Sequence, residues 1–317
     1  MAVPLRNPER ILKRLEWTVI RRLDGLLHGD YRALFRGAGL DLADLREYQY
    51  HDDVRHIDWN VTARLDTPYV REYHEDRDLT AWFLVDLSPS VDFGSRAIRK
   101  AGVAQDFVAV LARVLSRHGN RVAAGVWGST LHAVIPPGAG RRHVLRILQQ
   151  MIAGTRPGNG QVTDVAAFLR AARPLVVRRS LVFVISDFIS DADFGDELGR
   201  LAERHEVIAV RLHDPLEAEL PDLGLVTVQD AETGEQMFVD THDRVFRRRF
   251  AEASAKRETA LRRRFRDAGV DALELATDDD LANAILHFAD LRRRRSRLAA
   301  GAVLPRAERR SDALPVA

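Results

Sequence analysis

Three short stretches bring oxygen donors to places where the backbone must turn. Val85-Asp86-Leu87-Ser88-Pro89-Ser90 follows one apolar run, Thr163-Asp164 follows a Gly-containing loop at Pro157–Gln161, and Ile185-Ser186-Asp187 ends a second apolar run. Asp86, Ser88, Ser90, Thr163 and Asp187 offer carboxylates and hydroxyls, with no His or Cys among them. Hard oxygen donors of this kind suit Mg2+, Mn2+ or Ca2+ and disfavour zinc and copper. An Asp followed by hydroxyls at the second and fourth positions can wrap a turn around a small cation. Mg2+ keeps several waters, so short hydroxyls and water-bridging carboxylates suit it best, with Mn2+ the near equivalent. Each residue also has a plainer use. Ser88 and Ser90 can cap the helix that follows, Asp187 another, and Asp164 the helix it opens. Taken singly, each of these plainer uses is the better reading.

Such residues need rigid elements behind them. Leu79–Val85 and Ser180–Ile185 are continuous apolar runs, the mark of strands buried on both faces. Between and after them strands and helices alternate. Helices are expected at Ser95–Arg117, Arg141–Ile152, Thr163–Ala172, Asp193–His205, His242–Ala268 and Asp278–Arg294. Further strands are expected at Glu206–Leu212, which Asp214-Pro215 ends, and at Ala272–Leu275. Two hairpins are expected, Arg121–Trp127 with Leu131–Ile135 and Leu225–Val228 with Gln236–Val239. The alternation predicts an α/β fold, a doubly wound and mostly parallel sheet, with functional residues at the carboxyl ends of its strands. Before it, Pro8–Leu27 reads as one amphipathic helix with Ile11, Leu12, Leu15, Val19, Leu23, Leu26 and Leu27 on its apolar face. Gly37–Pro68 reads as an irregular segment ordered by packing. The division expected is a helical and irregular N-terminal extension over 1–68, the α/β domain over 69–297, and a disordered tail over 298–317.

The motif Asp86-x-Ser88-x-Ser90, then Thr163, then Asp187 resembles the metal-ion-dependent adhesion site of von Willebrand factor type A domains. The match in order and strand context spans about Tyr69–Arg295. Upstream, Leu45-Arg46-Glu47-Tyr48 and the run Asp52-Asp53-Val54-Arg55-His56-Ile57-Asp58-Trp59-Asn60-Val61-Thr62-Ala63-Arg64 resemble the signature of the bacterial domain-of-unknown-function 58 family, whose members carry a type A domain. His51 stands where Gly is usual, Thr62 where Ser is usual, and Pro89 replaces a small residue without removing a ligand. The resemblance implies Ser88, Ser90 and Thr163 as metal contacts, with Asp86 and Asp187 acting directly or through waters. It also implies a non-enzymatic adaptor beside a MoxR-type AAA+ ATPase in chaperone-like assembly, the partner supplying an acidic ligand.

Composition narrows the alternatives. The chain has 317 residues, 46% hydrophobic and 30% charged, with no Cys, which excludes disulfide scaffolds, thiolate metal sites and a Cys nucleophile. Its 48 Lys+Arg balance 46 Asp+Glu, and the lysines are only Lys13, Lys100 and Lys256, a bias read as genome composition. No apolar run reaches the roughly 20 residues of a membrane span, and the charged N-terminus lacks a signal-peptide pattern, so a cytoplasmic protein with no membrane partner is expected. No P-loop, dinucleotide fingerprint or Gly-x-Ser-x-Gly elbow is present. A metal-dependent phosphoester hydrolase remains the rival. Nucleic-acid binding through the Arg292–Arg295 helix end ranks last, because that helix end favours cations anyway. Asp52, Asp53, Arg55, Asp58, Arg64 and Arg71, with Trp59 and Tyr69, form a mixed-charge patch read first as structural ion pairing and second as a partner-docking surface or a nucleotide pocket.

Overall fold

Strands that are apolar along nearly their whole length need cover on both faces, and two such strands lie side by side at the centre of a six-stranded sheet. The computed structural model describes residues 7–26, 44–49, 57, 59–65, 67–72, 80–95, 98–128, 130–154, 164–190, 192–229 and 235–299. Its elements begin with α1 (Pro8–Leu15), α2 (Arg21–Leu26), β1 (Asp44–Glu47), α3 (Trp59–Leu65), β2 (Tyr69–Glu72), β3 (Thr80–Asp86) and α4 (Lys100–Arg117). Next come β4 (Arg121–Trp127), β5 (Leu131–Gly138), α5 (Arg141–Gly154), α6 (Val165–Ala172), β6 (Leu181–Ser186), α7 (Gly195–Ala202) and β7 (Glu206–His213). The last are α8 (Pro215–Ala218), β8 (Leu225–Gln229), β9 (Gln236–Asp240), α9 (Arg244–Asp267), β10 (Asp271–Ala276) and α10 (Leu281–Ala299). The chain forms two compact units, residues 1–29 with 74–286, and residues 30–73 with 287–317.

In the first unit six strands pair in the order β10-β7-β6-β3-β4-β5. Every pairing is parallel except that of β4 with β5. The chain therefore winds from β3 outward through β4 and β5, crosses back, and winds the other way from β6 through β7 to β10. The reversal falls between β3 and β6. In open sheets of this kind the crevice at such a reversal, beyond the carboxyl ends of the strands, is where ligands bind.

Both faces at that point are filled. Phe83 pairs with Phe183 across β3 and β6, their rings stacked at 5.2 Å, and Phe107 of α4 packs edge-on at 5.7 Å. On the opposite face Trp82, Leu84, Val182 and Val184 bury against Phe168 of α6, Leu198 of α7 and Phe265 of α9. Alternation along each strand thus sends successive apolar residues to two separate cores. β8 and β9 form an antiparallel ribbon of their own, with Leu225, Met237 and Phe238 exposed.

The N-terminal segment is not one regular helix. A π-helical turn at Glu16–Ile20 separates α1 from α2. The extra residue it accommodates advances the apolar stripe by one position, so Ile20 rather than Val19 is fully buried beside Ile11, Leu12, Leu15 and Leu23. α1 packs on α4 and α5, where Arg14 pairs with Asp106.

The helix expected from Ser95 starts instead at Lys100. Ser95 is drawn away from helical geometry because its backbone N and its hydroxyl both donate to Asp214. A Cβ on Gly94 would stand 2.6 Å from the Ile98 carbonyl, so the chain folds back there as only Gly allows. In the second unit β1 and β2 pair antiparallel, and the Tyr69 backbone N donates to the Thr62 hydroxyl of α3, so Gly37–Pro68 contains regular elements. His51, Asp52, Asp53, Arg55, His56 and Asp58 lie outside the described residues, as does the tail from 300 onward; Leu298 and Ala299 end α10. Among the described residues no helix is long and apolar enough to cross a membrane.

Candidate functional site

β3 ends at Asp86 and β6 at Ser186, neighbours across the reversal point, so the backbone itself carries both motifs to one place. Asp86 is fully buried. Its Oδ1 accepts from the Ser88 backbone N at 2.9 Å, closing a turn that brings Ser88 and Ser90 over the strand end. The two serine hydroxyls, both buried, stand 3.1 Å apart. Neither caps a helix: Ser88 precedes the short 3-10 turn Pro89–Asp92 without making a capping hydrogen bond. Pro89 fits as the first residue of that turn, where its missing N–H is no loss.

On the β6 side, the Ser186 hydroxyl donates to Asp86 Oδ2 at 2.7 Å and accepts from the Phe188 backbone N at 3.0 Å. Asp187 Oδ1 accepts from the Ile189 backbone N at 3.1 Å. These bonds hold Phe188 at φ 56, a left-handed conformation costly for an aromatic residue. Packing against Phe194 and Phe265, at 5.4 and 4.9 Å, maintains it. Strained backbone beside buried carboxylates is typical of functional sites.

The electrostatics are uneven. Burial, with the charge of Asp187 beside it, pushes the Asp86 carboxyl up to about 6 against the pull of hydrogen bonds from Ser186 and Ser88. Asp187 has a cation of its own. Lys100, the first residue of α4, is 1% exposed and donates to Asp187 Oδ2 at 2.8 Å and to Glu217 Oε1 at 2.6 Å. Burial works against that ammonium, yet the two carboxylates outweigh it and hold its pKa above the ordinary lysine value. Glu217 is oriented by the capping box of α8, its Oε2 accepting from the Asp214 backbone N at 3.1 Å.

Of the five residues expected to form the site, Asp86, Ser88, Ser90 and Asp187 gather at the reversal point. Thr163 lies outside the described residues. Asp164 caps α6, accepting from the Ala167 backbone N at 2.8 Å, as expected of the residue that opens that helix. Ser186, Lys100 and Glu217 were not singled out from the sequence. Lys100 carried no signal of its own, because the helix read from Ser95 places it past the first turn, away from the end of the dipole that opposes a cation.

Among the described residues no three His, Asp or Glu side chains converge as a metal cage. Hydroxyl donors widen the possibilities. Adjacent oxygens of an octahedral Mg2+ shell, with bonds near 2.0–2.1 Å, stand about 2.9 Å apart. The Ser88 and Ser90 hydroxyls are spaced closely enough to serve as one such edge, beside a buried carboxyl short of positive charge. The donors therefore fit a hard divalent cation.

Solved structures with a similar chain path include BatB from Bacteroides thetaiotaomicron, 14% identical with a TM-score of 0.43, covering 68% of this chain and 99% of that one. An aerotolerance-related membrane protein from Bacteroides fragilis is 12% identical at the same TM-score and coverages of 68% and 99%. Uncharacterised proteins of Mycobacterium tuberculosis and Mycobacterium bovis are 37% identical over 285 residues, 89% of each chain. The family model described as protein of unknown function DUF58 matches residues 44–260, and with relatives this similar along most of its length the chain belongs to the DUF58 family.

Proposed function

We propose that this protein is a non-enzymatic, metal-dependent protein-binding adaptor built on a von Willebrand factor type A-like domain. The observation that carries the reading is the group at the reversal point: paired Ser88 and Ser90 hydroxyls beside the buried Asp86, with Asp187 on the neighbouring strand. Ser88 and Ser90 would hold one Mg2+ or Mn2+, joined by Thr163 and by Asp86 and Asp187 directly or through waters. When bound, the ion supplies an electrophilic point that an outside carboxylate can reach. The chain's own residues do the rest. Ser186 and the Ser88 backbone N fix the Asp86 carboxyl, the Asx turn at Asp187 fixes its rotamer, and the aromatic packing around Phe188 keeps the loop in one conformation.

A partner that supplies an Asp or Glu completes such a site, because an ion-to-ion contact replaces a water in a partly desolvated place. A MoxR-type AAA+ ATPase in the cytoplasm, acting in assembly of other complexes, is the partner we propose. Isothermal titration of the EDTA-stripped protein with MgCl2 tests the core of the reading. One site per chain is expected, lost in Asp86→Ala with the fold retained. Absence of binding in the wild type, or unchanged binding in Asp86→Ala, overturns the metal assignment. Phosphoester turnover with Mg2+ that disappears in Asp187→Ala would make the hydrolase the better reading.

A further inference from the structure

Lys100 sits where a cation is least welcome, buried and at the start of a helix whose dipole repels it. Its ammonium has two carboxylate seats, one on the site at Asp187 and one off it at Glu217. The second is prepared independently, since the α8 capping box holds Glu217 by its other oxygen. The Phe93 ring, 5.8 Å from Nζ, covers the same ammonium.

We propose that Lys100 is a built-in competitor of the divalent cation for Asp187, a positioning residue that sets how tightly the metal binds. This rests on the metal reading above. In the absence of metal, Lys100 neutralises Asp187. When the ion takes up Asp187 Oδ2, Glu217 keeps the ammonium from being stranded without a partner. The two cations repel across a short, poorly screened distance, so each weakens the hold of the other on the shared carboxylate. The two seats make opposite predictions. Removing Lys100 frees Asp187 and tightens metal binding, whereas neutralising Glu217 confines Lys100 to Asp187 and loosens it. A lysine that only props up the fold would loosen binding in both variants.

The test is titration of EDTA-stripped wild type, Lys100→Met and Glu217→Gln with MgCl2, with circular dichroism to verify folding. Lys100→Met is expected to bind Mg2+ roughly tenfold tighter or more, and Glu217→Gln several-fold weaker. Thermal denaturation gives a second readout: Lys100→Met leaves the buried Asp187 carboxylate without its cation, so its midpoint falls in EDTA and recovers with Mg2+ more than that of the wild type. If Lys100→Met does not fold, Lys100→Gln carries the same expectation, since its amide still donates to one carboxylate. Equal affinities in all three proteins, or weaker binding in both variants, would overturn it while leaving the metal site standing. No binding in any of the three overturns both.

Discussion

Asp86 and Asp214 stand at the carboxyl ends of parallel strands, one the last residue of β3 and the other directly after β7, and neither exposes any surface. Their surroundings differ. Asp214 Oδ2 accepts from the Ser95 backbone N at 2.8 Å, the Ser95 hydroxyl at 2.9 Å and the Thr277 hydroxyl at 2.7 Å, and Oδ1 accepts from the Leu216 backbone N at 3.0 Å. Those donors outweigh burial and hold its carboxyl below the ordinary value. Asp86 has the Ser186 hydroxyl and the Ser88 backbone N, faces a second carboxylate, and is pushed up to about 6. A buried carboxylate whose lone pairs are filled by the fold is a staple, here tying the β3–α4 loop, α8 and the end of β10 together. One left short of donors and beside a like charge destabilises the fold, a cost that the cation proposed above would offset.

The largest expected effect lies on the staple. Asp214→Ala strands four donors at once and should cost at least about 3 kcal/mol in urea denaturation at pH 7. The sign for Asp86 is opposite. Its native pKa of about 6 exceeds the ordinary 3.8, so the native state binds the extra proton between those values. Stability therefore falls as pH rises through that window and stays lower above it. In EDTA at pH 8, Asp86→Asn should gain about 2–3 kcal/mol, a gain that shrinks as pH falls through the window and is gone below about pH 3. The Asn oxygen can keep the Ser88 backbone N–H, and the Ser186 hydroxyl can turn to accept from the new amide. A destabilised Asp86→Asn at pH 8 would erase the contrast.

Much of this arrangement is legible in sequence, and the omissions have physical causes. The apolar runs of β3 and β6 are too short for buried helices and rich in β-branched and aromatic residues, so they read as doubly covered strands. A parallel sheet then places whatever follows them on one edge, which is why Asp86, Ser88, Ser90 and Asp187 could be grouped without coordinates. Lys100 was hidden because apolar periodicity carries the helix signal back to Ser95, which puts Lys100 in the second turn with no reason to be buried. What stops the helix is a contact from Ser95 to Asp214, far along the chain. Asp214 reads locally as the residue that ends a strand before Pro215, and it does that. Its bonds to Ser95 and Thr277 come from other loops, and no local pattern announces them. The shift of the buried stripe from Val19 to Ile20 is of the same kind: a single π turn, set by packing, moves the register of everything after it.

The smallest effect gives the sharpest contrast, because it compares one hydroxyl at each aspartate. Thr277 donates to a carboxylate that stays ionised from pH 5 to pH 8, since its pKa is held below the ordinary value. Thr277→Val should therefore cost about 2 kcal/mol, the same at either pH, as expected for one bond to a charged acceptor. Ser186 donates to a carboxyl that changes from protonated to ionised within that window. Its loss removes a neutral bond at pH 5 and a charge-assisted one at pH 8, a difference of about 1 kcal/mol. Beneath that slope lies a constant cost, because the Phe188 backbone N, already held at φ 56, loses the hydroxyl it donates to. Urea denaturation of Ser186→Ala and Thr277→Val in EDTA at pH 5, 6.5 and 8 should give one sloping profile and one flat one. A flat profile for Ser186→Ala would mean that Asp86 does not titrate between those pH values and that the two aspartates are held alike.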